Sequence, residues 1–203
     1  MVRGGQQTAE KILETAHHLF MARGYVGVSI NEVVQTVGIT KPSLYYHYAD
    51  KESLYAAVAE RALDTMGTEL RAAISDADMP FAHQLRAVIL AIQAHNGEDF
   101  RMMRHEMRVH LDATHQHRIG MRFYASMMAP IETLMERGIS LGELVGRSAS
   151  ELAMLFLCLI EAYTGPEAMA VHLRLTADHI SEMFLYGVAA PRFARVEQIH
   201  VEE

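Results

Sequence analysis

The sequence predicts an all-α protein: an N-terminal three-helix head built on a helix-turn-helix, followed by a larger helical body. Three observations carry this. Apolar residues recur at helical spacing along most of the 203 residues, capping residues stand where the periodic stretches begin, and no stretch alternates apolar with polar residues long enough for a strand. There is no internal repeat and no low-complexity tract.

The first helix is expected to begin after Thr8 and stop at Gly24, burying Ile12, Leu13, Ala16, Leu19 and Phe20. Ser29 and Glu32 have capping-box spacing, so a second helix should start at Ile30 and bury Ile30, Val33, Val34 and Val37. Gly38 suits the left-handed end of that helix, with Ile39 turned back into the core. Thr40 caps the next helix, and Pro42 falls in its first turn, where a missing backbone donor costs nothing. Leu44 and Tyr48 should face inward. Ser43, Tyr46 and His47 share another face, with Lys41, Pro42 and Tyr45 around the exposed start. A recognition helix has this layout, and so does a tight helical hairpin in an ordinary bundle.

The run Gly38-Ile39-Thr40-Lys41-Pro42-Ser43-Leu44-Tyr45-Tyr46-His47-Tyr48, then Lys51-Glu52 and Leu54, resembles the signature of the TetR family of transcriptional repressors. Upstream, Ile12-Leu13, Ala16, Leu19-Phe20, Gly24-Tyr25 and Ser29-Ile30 are similar to that family's first helix and the start of its second. The close match runs from Thr8 to Val58. Pro42 stands where glycine is commoner, and Asp50 where serine is usual; both residues suit helix starts. The resemblance implies a head over residues 1–50 and an effector-binding, dimerising body over 51–203, linked by the helix from Lys51. It implies a homodimer on a near-palindromic double-stranded DNA operator, released by a small effector. Lys41, Ser43 and Tyr46 would meet bases; Tyr45, His47 and Lys51 would meet phosphates; Ser29, Thr40 and Pro42 complete the DNA-facing set.

In the body, Asp50 caps a long helix stepping through Leu54, Val58, Ala62, Met66, Leu70 and Ile74. Pro80 opens a helix with Phe81, Leu85, Val88, Ile89 and Ile92, ended by Asn96-Gly97. A short methionine-rich helix spans Phe100 to Leu111. A long one runs from near His115 to Arg137, with Gly138 past its end and Pro130 kinking it. Ser148 and Glu151 make a second capping box for a helix to Tyr163 that is apolar nearly all round, so one face needs a partner. After the Gly165-Pro166 break, Thr176 caps a last helix to Gly187 carrying Ile180, Met183, Phe184 and Val188. A solvated tail is expected beyond Pro191.

The net charge is -7, while Met1–Lys51 carries five Lys/Arg against four Asp/Glu. A near-neutral head on an acidic body suits a small DNA contact patch, not general affinity for nucleic acid. The one cysteine, Cys158, precludes an intrachain disulfide. With no signal-like N-terminus and no apolar run long enough to span a bilayer, the expected location is cytoplasmic, without a membrane partner.

Twelve histidines raise a metal reading around His105, Glu106, His110, His115 and His117, but no zincin or cysteine motif accompanies them, so no metal and no cofactor are expected. No nucleophile elbow or phosphate loop is present, which disfavours an enzyme. A helical metal hydrolase and a structural adaptor are the rival classes; turnover marks the first and indifference to DNA the second. Fourteen methionines suit an adaptable apolar pocket. Met103, Phe123, Met127 and Phe156 are the expected lining, with His105 as a polar contact, and the effector is expected to be small and largely apolar.

Overall fold

The computed structural model describes residues 2–95, 98–145, 148–164 and 175–188. Every element among them is helical: α1 (Val2–Arg23), α2 (Ile30–Val37), α3 (Lys41–His47), α4 (Lys51–Ala73), α5 (Phe81–His95), α6 (Glu98–His110), α7 (Ala113–Phe123), a π-helical turn (Tyr124–Met128), α8 (Ala129–Ser140), α9 (Ala149–Thr164) and α10 (Ala177–Val188). None of these helices is long and apolar enough to cross a membrane.

The helix starts follow the capping chemistry. Ser29 Oγ accepts from the Glu32 N–H, Thr40 Oγ1 from Ser43, and Asp50 Oδ1 from Ser53 at 2.6 Å. At Ser148 both halves of the box form, because Glu151 Oε2 accepts from the Ser148 N–H. At Ser29 only half forms: the Glu32 carboxylate pairs with Arg23 instead. Gly38 ends α2 at φ 78°, its N–H bonded to the Val34 carbonyl.

In the head, α1 packs on α2 and α3 around Ile12, Ala16, Phe20, Val33 and Leu44, all buried. Helix α4 closes the head and then runs through the body against α5, α7 and the π turn, so a single apolar cluster extends from Ile12 to Phe184. Its inward stripe includes Leu63 and leaves Ala62 only half-buried.

Expectations about helix bounds and about Pro130 are corrected. Helix α1 starts at Val2, since no proline or used cap stops it before Thr8. Helix α7 starts at Ala113, two residues before His115, where Asp112 caps it. Pro130 does not stand at a simple kink: the helix carries a π turn just before it, where the Ala129 N–H reaches back to the Tyr124 carbonyl. Gly138 lies inside α8, not past its end. A Cβ there would sit 2.5 Å from Phe81 Cζ, so the helix needs glycine for close packing and continues to Ser140.

Helix α9 turns Leu152, Ala153, Phe156, Leu157 and Ile160 into the core, and Phe156 meets Phe184 of α10 with ring centroids 4.7 Å apart. Its other side stays open, with Leu155 at 45% exposure. On α10, Met183 is 43% exposed and Tyr186 84% exposed, while Ile180 and Phe184 are buried. The breaks at Asn96-Gly97 and Gly165-Pro166, the tail after Pro191 and the Val188 side chain lie outside the described residues.

Candidate nucleic-acid interface and body cavity

Helix α3 is anchored by buried Leu44 and half-buried Tyr48. That anchor turns Lys41, Pro42, Tyr45 and Tyr46 to solvent, with Ser43 and His47 half-buried beside them; Tyr46 is 84% exposed and Tyr45 46%. The His47 ring stands edge-on to Tyr46 at 5.1 Å. Ser29 and Thr40 lie exposed at the adjacent helix starts. An aromatic side chain of this size left in water on a short helix is available for a partner. The predicted residues at the start of α2 and on α3 are therefore open to solvent in whole or in part.

Lys51 is held differently. Its ammonium lies 4.2 Å from the centroid of the Tyr25 ring, a cation–π contact, and burial holds its pKa below the usual lysine range. Tyr25 also packs against Tyr55 at 5.1 Å and stacks on His110 at 4.9 Å. Its backbone N–H donates to both carboxylate oxygens of Glu106, at 2.8 and 2.7 Å. The buried Tyr55 hydroxyl donates to Glu106 Oε2 at 2.9 Å. Burial first, then that bond, push the Tyr55 phenol far above its ordinary pKa, so it stays a donor. Glu106 and His110 thus grip the head. The i, i+4 spacing that invited a metal reading serves one tyrosine, and no sequence signal linked them to Tyr25 or Tyr55.

His115 lies in the first turn of α7, where Asp112 Oδ1 accepts from its backbone N–H and meets its Nδ1, both at 2.8 Å. With Glu52 these are three possible metal donors within 4.8 Å, the one such group among the described residues. The helix cap accounts for the Asp112–His115 pairing without an ion.

Between α4, α6, α7 and α9 lies a cavity of about 380 Å³, within the range for small-ligand sites. Ala59, Leu63, Met103, Met107, Ile119 and Phe123 form much of its apolar wall, completed by Met154, Leu157 and Cys158 of α9. Of the expected lining, Met103 and Phe123 are in place. Met127 and Phe156 are core residues instead, buried but off the wall. His105 is exposed and absent from the lining, because it stands some 200° around α6 from Met103. The polar groups at the cavity are Arg104, Arg108, Gln116 and Glu161. Arg104 pairs with Glu161 at 2.7 Å, which leaves Arg108 as the guanidinium there without a described carboxylate partner. A second hollow of about 500 Å³ between α1 and α4 is edged by Glu14, His17, His18, Arg61 and His95, a less suitable wall for an apolar guest.

Comparison with known proteins separates head from body. Residues 12–58 match the family described as bacterial regulatory proteins, tetR family. Over 46 residues the chain is 44% identical to the biofilm operon icaADBC HTH-type negative transcriptional regulator IcaR of Staphylococcus epidermidis, covering 23% of this chain and 25% of that protein. Over 64 residues it is 34% identical to the HTH-type transcriptional activator FasR of Mycolicibacterium smegmatis, covering 32% and 29%. The matches therefore span only about a quarter of these curated relatives. The fold likeness reaches further. The reduced form of NemR from E. coli aligns with a TM-score of 0.73 at 15% identity, over 91% of this chain and 97% of that one. A TetR-family transcriptional regulator from Agrobacterium tumefaciens aligns with a TM-score of 0.68 at 21% identity, over 92% and 100%.

Proposed function

The head belongs to the TetR family of bacterial regulatory proteins, and from that premise we propose that the protein is a DNA-binding transcriptional regulator, a repressor released by a small effector. The observation that carries this reading is α3: a short helix with one buried anchor and an outward side of Lys41, Ser43, Tyr45 and Tyr46. Such a helix can enter a major groove with its early side chains toward base edges. Lys51 would reach a phosphate from the start of α4, where the helix dipole also favours an anion. Residues 1–50 form the reading head in this account, and 51–203 the dimerising, effector-binding body.

Two features support the finer parts. The exposed apolar side chains Leu155 on α9 and Met183 and Tyr186 on α10 support a symmetric homodimer, which requires a near-palindromic operator. The body cavity supports an effector with an apolar body and one polar or anionic end, the latter met by Arg108. Selection of bound sequences from random duplex DNA tests the main reading. An enriched inverted repeat is expected, and no enrichment at all refutes it. On the selected site, Tyr46→Ala should cost about 1–3 kcal/mol and relax base preference.

A further inference from the structure

Helix α6 faces two places at once. Met103, Arg104, Met107 and Arg108 line the cavity. On the flank between them, Glu106 leaves the body and takes the Tyr25 N–H and the Tyr55 hydroxyl, while His110 one turn on stacks against the Tyr25 ring at an interplanar angle of 17°. Tyr25 lies two residues past the end of α1 at Arg23, just after Gly24, and its ring supports the Lys51 ammonium. The approach is close: Gly24 has φ 71°, and a Cβ built there would lie 2.4 Å from Glu106 Oε1.

From this geometry we infer that Glu106 is a positioning residue, a strut that sets the head's orientation from the helix that walls the cavity. Two donors meet one partly buried carboxylate, the Tyr25 N–H shared between both oxygens and the Tyr55 hydroxyl; such bonds are directional, and bonds to a charged acceptor are stronger than neutral ones. Apolar packing alone tolerates small rotations that such bonds do not. The strut ends on the turn after α1, in the head, and on the first turns of α4, the helix that links head and body, so α6 cannot shift along its axis without moving Tyr25 and Tyr55 or breaking these bonds. Lys51, seated on Tyr25, moves with them. This regulation rests on the proposed function, because it gives an effector beside Met103 and Met107 a short mechanical route to the DNA-facing side.

Its test needs neither operator nor effector. In a Cys158→Ser background, spin labels on the exposed positions Gln35 and Thr133 report the head-to-body distance, with labelled chains diluted in unlabelled ones. Wild type should show one narrow distance distribution. Glu106→Ala should broaden or shift it, at temperatures where melting shows the variant folded. Glu106→Gln should stay narrow, because its amide oxygen accepts from Tyr25 while its NH₂ donates to a turned Tyr55 hydroxyl. Tyr55→Phe, which deletes one donor and keeps the ring, should broaden it less than Glu106→Ala. Unchanged distributions in both Glu106→Ala and Tyr55→Phe overturn the strut. On a selected operator, Glu106→Ala should bind roughly tenfold more weakly than Glu106→Gln. Failure of wild type to bind any DNA would defeat the functional reading, while the distance measurement still judges the strut.

Discussion

At the scale of single residues, Asp50 joins head to body through one side chain. Its Oδ1 accepts from the Ser53 N–H at 2.6 Å and the Ser53 hydroxyl at 2.7 Å. The backbone bond first, then the hydroxyl bond, hold the carboxyl below its ordinary pKa. A folded pKa below the unfolded one means that the unfolded chain protonates first as pH falls. The cap's contribution is therefore complete above the ordinary aspartate value of about 3.9 and is lost as pH drops through the lower folded value. Asp50→Ala should cost about 1 kcal/mol at neutral pH. Urea titrations of both proteins should show that gap closing as pH falls below the ordinary aspartate value.

At the scale of elements, two helix surfaces make opposite predictions. Gly138 lies where α8 meets Phe81 of α5 and Leu144, with no room for a methyl group. Gly138→Ala should therefore destabilise by about 1–3 kcal/mol through overpacking, although alanine is the better helix former. A thermal melt that rises would contradict this. Helix α9 has room to spare on its open side. Leu159 packs partly against its own chain, so a charge there would disturb folding as well as assembly. Leu155 is the cleaner probe. Leu155→Glu should leave the melting of the isolated chain nearly intact and yield monomers by sedimentation with sharply weaker operator binding. Wild type that sediments as a monomer would end the dimer reading.

At the scale of the whole molecule, the cavity and the core beside it should respond differently to truncation. Anilinonaphthalene sulfonate, an apolar body with one anionic end, is a suitable fluorescent probe. Phe123→Ala removes wall and should weaken its binding; Arg108→Gln should weaken it by removing the guanidinium. Phe156→Ala removes a fully buried ring packed on Phe184 and should instead cost about 3–5 kcal/mol of stability. Probe affinity unchanged in both Phe123→Ala and Arg108→Gln would place its site elsewhere. Release of DNA requires a ligand that prefers the free protein; a hundredfold preference corresponds to about 2.7 kcal/mol. A ligand that binds free and operator-bound protein equally cannot be the releasing effector.

What the amino-acid order determined by itself is the local part of this protein. Ser29, Thr40, Asp50 and Ser148 start helices through bonds that reach three residues ahead, and Gly38 stops one through its own backbone angle. The outward side of α3 follows from Leu44 and the helical repeat. These features depend on residues within about one turn of each other, so adjacent letters contain them. The tertiary structure alone decided the rest. The cavity wall is drawn from four helices, which is why Gln116, Leu157 and Glu161 could not be picked out while Met127 and Phe156, apolar and nearby, were. The open side of α9 and the π turn before Pro130 depend on how whole helices cross. Glu106 meets Tyr25 across 81 positions of chain, and such a bond exists only once packing has set the rotation of α6 against α1 and α4.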